Sequence, residues 1–157
     1  MFTKTMLIVF FSVIFIAIGV NWWFTKSVVE VDIPTTVNRY VINFQELNTH
    51  LYFRAKTWSV SGNHEEIVLS CFSFEEKQQP SKDECFIFNT SEVYYKKEGA
   101  DTLLVYVVTS ALSEIPKNFS TPIKIIQMEL KNYDEAKDYE MNYKKYGLSK
   151  INVYKNK

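Results

Sequence analysis

The chain has 157 residues, of which 46 % are apolar, and its 18 basic residues balance its 18 acidic residues. It is rich in Tyr, Phe, Val and Ile and has only 4 Gly and 4 Pro, a composition that excludes a disordered tail and suits one domain of common size beyond an apolar N-terminal segment. Residues 27–157 carry 16 basic and 18 acidic groups, a net charge of −2, so no overall positive field predicts a nucleic-acid partner.

The first predicted element is an apolar segment over residues 6–24. Its exceptions are few: Ser12, Gly19 and Asn21. In a helix, this length spans roughly 28 Å, close to the ~30 Å hydrocarbon core of a bilayer. Residues 1–26 are therefore predicted to form a membrane anchor or signal segment whose partner is the lipid bilayer.

The end of this segment favours an anchor that stays in the membrane. Aromatic residues and lysine are typical of the membrane–water interface, and four of them stand together: Trp22, Trp23, Phe24 and Lys26. A signal peptide cleaved near Gly19 is the alternative, because Lys4 precedes an apolar stretch that ends in a small-x-small triplet. The protein would then be secreted.

The charges around the segment predict its orientation. The terminal amine and Lys4 precede it, whereas Lys26 is soon followed by Glu30 and Asp32. Because positive charge favours the cytoplasmic side, we expect a single-pass protein of the cell membrane, with a cytoplasmic N-terminus and an extracytoplasmic C-terminal domain.

The rest of the chain is predicted to be rich in strands. Residues 27–46 are either a stalk or the first strands, and residues 47–157 are the β-rich domain. Residues 51–58 alternate in the period of two typical of a half-buried strand, followed by a turn near residues 61–64 and a return strand over 66–74.

Several strands and one helix are predicted in the second half of the domain. The strands are at residues 85–89, 92–97, 102–109, 121–130 and 151–154; the stretch 103–108 is apolar on both sides and is the predicted central strand. Asp134 is a candidate cap for a helix that reaches Tyr146, with Gly147 as its terminator. The expected fold is an N-terminal transmembrane helix plus a mainly antiparallel β domain, a sandwich or a curled sheet, with one C-terminal helix.

The two cysteines flank a polar loop at residues 75–84. Cys71 and Cys85 close a 15-residue loop, and an extracytoplasmic location predicts a disulfide between them, worth about 3 kcal/mol in the loop-entropy model. The alternative is two separate buried thiols. Their spacing matches no zinc site.

No motif for a metal, a cofactor or phosphate occurs in the sequence, so we do not expect an enzyme. His64 stands beside Glu65 and Glu66, which is the pairing used by general bases. A secreted or anchored hydrolase using His64 with either carboxylate is therefore an alternative function. A carrier of a small apolar ligand inside a curled sheet is a second alternative.

The favoured hypothesis is a membrane-anchored, extracytoplasmic protein-interaction module of the inhibitor or immunity type. Its expected partner is another envelope protein, because an anchor raises the effective concentration of a domain near such partners. Trp58 and the Tyr94-Tyr95 pair are candidate binding residues, or else they fill and cover a sheet.

Overall fold

The computed structural model describes residues 35–58, 64–74 and 79–154. The described elements, in chain order, are β1 (Thr35–Phe44), β2 (Thr49–Trp58), β3 (His64–Ser70), β4 (Phe86–Phe88), β5 (Glu92–Glu98), β6 (Thr102–Val108), β7 (Lys124–Leu130), α1 (Tyr133–Asn142) and β8 (Ser149–Asn152). Short 3-10 turns follow β1 and β6, at Gln45–Leu47 and Thr109–Ala111.

Several predictions fall outside the described residues. They include the membrane segment of residues 1–26, with its interface residues Trp22, Trp23, Phe24 and Lys26, and the turn at residues 61–63. Among the helices of the described ranges, none has both the length and the apolar character needed to cross a membrane.

The eight strands form two four-stranded sheets. In the first sheet the order is β1-β2-β3-β4 and every neighbouring pair is antiparallel. In the second sheet the order is β7-β6-β5-β8, and only β6 and β7 run parallel. The prediction of a mainly β fold, mostly antiparallel, with one short helix near the C-terminus is confirmed. Within residues 27–46, predicted as a stalk or the first strands, the structure has the strand β1 (Thr35–Phe44).

The inward side chains of the two sheets share one core. In β2, alternate residues Leu51, Phe53 and Ala55 are buried in it, as the period of two requires. The second sheet contributes Val93, Leu103 and others to the same cluster. Burying a Val, Leu, Ile or Phe side chain in this core stabilises the fold by about 1.5–3 kcal/mol before entropy is counted, so the sheets are held together mainly by this layer.

The strand β6 is internal to its sheet, between β7 and β5, as its sequence predicted. Leu103, Val105 and Val107 enter the core between the sheets, while Leu104 and Tyr106 belong to a second cluster on the outer face. A strand buried on both faces needs apolar residues at every position.

A crossover of residues 109–123 connects the parallel strands β6 and β7. Phe119 packs edge-on against Phe86 of β4, with ring centres 5.0 Å apart, and Ile123 is buried in the core. The backbone N–H of Ile87 donates to Ser113 Oγ at 2.8 Å. The crossover therefore joins the β4 edge of one sheet to the β7 edge of the other. A parallel connection of this length usually contains a helix, but this one carries only the short 3-10 turn Thr109–Ala111.

The helix α1 covers the outer face of the second sheet. Its N-cap is Asn132 and not the predicted Asp134, which lies in the first turn; Asn132 Oδ1 accepts from the N–H of Glu135 at 2.9 Å. Tyr139 packs against Tyr106, with ring centres 5.4 Å apart. The helix ends at Asn142 rather than at the predicted Tyr146, and turns continue to Gly147, whose φ of +69° is left-handed.

Candidate functional site on the first sheet

The two sheets differ in what lies on their outer faces. The second sheet carries α1, whereas on the first sheet Phe74 and Cys85 pack over Val68 of β3. No helix of the described ranges packs on the remaining half. The outward side chains of β1 and β2 form this half, which we call the β1–β2 face: Val37, Arg39, Val41, Tyr52, Arg54, Lys56 and Trp58.

Two arginines stand opposite each other at the centre of the β1–β2 face. Arg39 of β1 is the register partner of Arg54 of β2, and these are the only arginines among the 18 basic residues of the chain. Side chains in such positions have Cβ atoms about 4.5–5.5 Å apart, and like charges there destabilise the pair. The arrangement therefore calls for nearby groups that offset the two positive charges.

Arg54 is almost fully buried, although its side chain lies on the outer face of the first sheet. The residue is 3 % exposed, and its Nη2 lies 3.3 Å from Oε1 of Glu66 on β3. Its Cζ lies 4.7 Å from the ring centre of Phe74. An ion pair and an aromatic face together reduce the cost of removing this charge from water.

A cavity of about 80 Å³ is formed by β1, β2 and the segment that follows β3. Both arginines line it, together with Tyr40, Val41, Tyr52, Phe53, Ser73 and Phe74. This is several times the ~10–15 Å³ that one water molecule needs. The walls are mainly aromatic and aliphatic, and the guanidinium groups are the charged groups of the lining.

Trp58, at the end of β2, stacks on a neighbouring ring at one end of the β1–β2 face. The rings of Trp58 and His64 stack with centres 5.7 Å apart and an interplanar angle of 18°. Lys56 Nζ lies 5.0 Å from the centre of the Trp58 ring. Trp58, a candidate binding residue from the sequence, is thus on the same face as the arginine pair.

The two carboxylates beside His64 lie on opposite faces of β3, and only Glu66 shares the face of the histidine. Glu66 pairs with Arg54, whereas the Glu65 carboxylate accepts a hydrogen bond from Tyr154 Oη. Successive residues of a strand point to opposite faces, so His64 and Glu65 do not share a face of β3. The hydrolase hypothesis stays a prediction that no contact of His64 in the described residues favours.

The structure contains Cys71 and Cys85 as free thiols, so the predicted disulfide is not formed in it. The reason is packing: Cys71 lies against the core between the sheets, while Cys85 is buried in the outer cluster with Val68 and Phe74. Burial, and then the charge of Glu84, raise the pKa of the Cys85 thiol to about 11.

The tyrosines of the second sheet are largely structural. Tyr94 is buried, donates a hydrogen bond to Glu92, and lies beneath Tyr139 and Tyr143 of the α1 region. Burial, followed by the hydrogen bond to Glu92, raises the pKa of Tyr94. Lys150 pairs with Glu92. Tyr95 faces the core and contacts Phe53, so neither tyrosine of this pair belongs to the β1–β2 face.

Within the described ranges, no group of three or more His, Cys, Asp or Glu residues is placed to hold a metal ion. A cavity of about 130 Å³ lies beside Cys85, between β4 and the crossover, and Lys82, Asn89 and Glu114 are among its polar lining residues. Its single carboxylate is too few for a metal site built from acidic and histidine ligands.

Sequence reasoning missed the arginine pair. The available signal was the rarity of arginine beside 16 lysines, but the opposition of residues 39 and 54 depends on the register of two strands.

Comparison of the chain with known protein families, with curated proteins and with solved structures finds no match.

Proposed function

We propose that this protein is a single-pass, membrane-anchored interaction module whose extracytoplasmic domain binds another envelope protein through the β1–β2 face. The observation that carries the proposal is the composition of that face. It joins Trp58, Tyr52 and the chain's two arginines on one side of a rigid sheet. Trp, Tyr and Arg are the residues most enriched where protein interfaces derive their binding energy.

Exposed apolar area on the same face supports a protein partner. Val41 is 53 % exposed in the middle of a strand, beside the half-buried Tyr52 that is its register partner. Aromatic side chains and arginine are enriched in protein interfaces relative to the rest of the surface.

The charges of the face indicate an acidic partner. Arg39, Arg54 and Lys56 are positive, and Glu66 on the neighbouring strand is the carboxylate paired with Arg54. Complementary charge mainly speeds association and selects partners. A domain tethered through residues 6–24 would meet such a partner at high effective concentration, as an inhibitor or immunity-type protein requires.

The membrane part of the proposal is tested by topology. The full chain with a C-terminal tag is expressed in a bacterium, membranes are separated, and intact cells with a permeable outer envelope are treated with protease. We expect a membrane-bound chain that keeps its N-terminus and loses its tag to external protease. A soluble chain that starts near Val20 would show secretion instead, and a tag protected from protease would invert the topology.

The binding part is tested by site-specific crosslinking in the same membranes. A photo-crosslinking amino acid is placed at Val41 in one variant and at Met141 of α1, which is 66 % exposed, in a matched control. We expect one membrane or envelope protein with an acidic surface to be captured at position 41 and not at 141. Capture should weaken in the charge reversal Arg39→Glu. Identical products at both positions, or none at position 41, would contradict the proposal.

A further inference from the structure

We propose that the cavity lined by Arg39 and Arg54 is a carboxylate-binding site that receives an Asp or Glu side chain of the partner. The inference rests on the proposed function, because the partner supplies the carboxylate. It names the chemistry at the centre of the β1–β2 face, which the crosslinking experiment leaves open.

The charge arrangement is the first support. Arg54 already has an ion pair with Glu66, whereas Arg39 is exposed and forms no ion pair with any residue in the described part of the chain. Because directly opposed like charges repel, an anion seated between them would lower the energy of both. Both arginines are among the residues that line the cavity.

The choice of arginine over lysine is the second support. Lysine is the ordinary base of this chain, with 16 copies against two arginines, and yet both arginines line one cavity. A guanidinium offers a flat fork of donors that matches a carboxylate with two parallel hydrogen bonds, which an ammonium group does not.

The size and walls of the cavity favour a carboxylate on a short aliphatic stem. The volume of about 80 Å³ is small, and Val41, Tyr52 and Phe74 form much of the wall. The CH₂ groups of an acidic side chain can contact these apolar walls while the carboxylate reaches the guanidinium. A phosphate has more charge and more oxygens to satisfy, and little apolar surface to place against the rings.

The rarity of arginine also makes the test direct. In ¹⁵N-labelled full-length protein in lipid nanodiscs, the arginine Nε–H region contains the signals of only Arg39 and Arg54, and Arg39→Lys assigns them. The probe is N-acetylglutamate amide, whose only carboxylate is on the side chain. The matched probe is N-acetylglutamine amide, of the same shape without the charge. We expect saturable shifts of both signals with the first probe and none with the second.

Variants separate the cavity from general positive charge. Arg39→Gln should weaken binding of the glutamate probe about tenfold or more, as loss of a charge-assisted hydrogen bond implies. Arg39→Lys should also weaken it, since the charge remains but the fork is lost. Lys56→Gln removes a charge from the same face outside the cavity lining, and should change the affinity less than about twofold.

Several results would overturn the inference. One is equal weakening by Arg39→Gln and Lys56→Gln, which would indicate diffuse attraction to the face. Others are full binding by Arg39→Lys, equal shifts with the glutamine probe, or tighter saturation by inorganic phosphate. Tighter binding of N-acetylglycine would also overturn it, because a chain-terminal carboxylate would then be the preferred ligand.

The two proposals fail in distinguishable ways. If position 41 still crosslinks the envelope partner but the glutamate probe shifts neither arginine signal, the interaction module stands and the carboxylate site does not. If the probe binds and no partner is captured at position 41, the cavity binds carboxylates but the proposed function fails.

Discussion

At the scale of single residues, packing decides what each buried polar group can do. Glu66 and Phe74 lie against the guanidinium of Arg54 and reduce the cost of burying its charge. At Cys85 burial is the largest effect, and it raises the pKa of the thiol from the ordinary 9.0 to about 11. The thiolate is the reactive form of cysteine, so the two thiols of this chain should differ in reactivity.

We expect Cys71 to be alkylated before Cys85. At pH 8, iodoacetamide should modify the half-buried Cys71 in the native protein, while the buried Cys85 reacts only after unfolding. Intact-mass analysis over time, with Cys71→Ser and Cys85→Ala as references, resolves the two sites. Equal rates in the native protein would show that Cys85 is not protected.

The raised pKa of Cys85 also predicts that the protein loses stability in alkaline solution. Its pKa is higher in the folded state than its ordinary value of 9.0, so between pH 9 and about 11 the unfolded chain ionises while the folded chain keeps its proton. The stabilisation is complete below pH 9 and is lost as pH rises through this window. The free energy of unfolding should therefore fall more steeply in the wild type than in Cys85→Ala, as measured by urea denaturation at each pH. Parallel curves would contradict this.

At the scale of elements, the crossover of residues 109–123 is held by a side chain of the strand that it leads to. The backbone N–H of Ser113 donates to Gln127 Oε1 at 2.8 Å, and Gln127 Nε2 donates to the Ser113 carbonyl at 2.8 Å. Ser113 Oγ in turn accepts from the N–H of Ile87 on β4. Gln127 thus links β7 to the crossover, and Ser113 links the crossover to the other sheet.

We expect Gln127→Ala to destabilise the fold by about 1–3 kcal/mol, because it leaves two part-buried backbone groups of Ser113 without their partner. Lys124→Ala, at an exposed position of the same strand, should change the stability by less than about 0.5 kcal/mol. Urea denaturation followed by circular dichroism measures both. Equal effects would mean that the paired hydrogen bonds add nothing.

The cap of α1 provides an independent prediction. Asn132→Ala removes the acceptor of the Glu135 N–H and should cost about 1 kcal/mol, whereas Asn132→Asp should retain the stability. Because Tyr139 of α1 covers Tyr106, hydrogen exchange at β6 should also accelerate in Asn132→Ala. Unchanged stability in Asn132→Ala would show that tertiary packing alone holds this helix.

At the scale of the whole molecule, the shared core and a few polar contacts join the two sheets. Asn38 Nδ2 donates to the carbonyl of Val153 at 2.9 Å, and Tyr40 Oη donates to that of Asn152 at 3.2 Å. These bonds attach the edge strand β1, which carries Arg39, to the chain next to β8. The β1–β2 face therefore includes a strand that is bonded to both sheets.

Truncation of the Phe53 side chain should show how much the shared core contributes to the free energy of unfolding. Phe53 is 1 % exposed and contacts Tyr95 of the other sheet, with ring centres 5.7 Å apart. Phe53→Ala should cost about 3–5 kcal/mol by leaving a cavity, whereas the exposed Val41→Ala should cost less than about 0.5 kcal/mol. Urea midpoints of the two variants provide the comparison. A small loss in Phe53→Ala would mean that the sheets are stable separately.

The sequence by itself determined the local features of this protein. Alternation over residues 51–58 predicted β2, the doubly apolar run at 103–108 predicted the internal strand β6, and the residues from Asp134 onward predicted α1. Each of these depends on neighbours a few residues apart, which periodicity and capping patterns report directly.

Only the tertiary structure decided which strands pair and what their side chains meet. The parallel pairing of β6 with β7, the separation of His64 from Glu65, the free thiols of Cys71 and Cys85 and the opposition of Arg39 to Arg54 all follow from register and packing. Register is set by which faces become buried, because a shift of one residue moves every side chain of a strand to the opposite face of the sheet. Contacts between distant parts of the chain therefore created the candidate site, and no local pattern contains them.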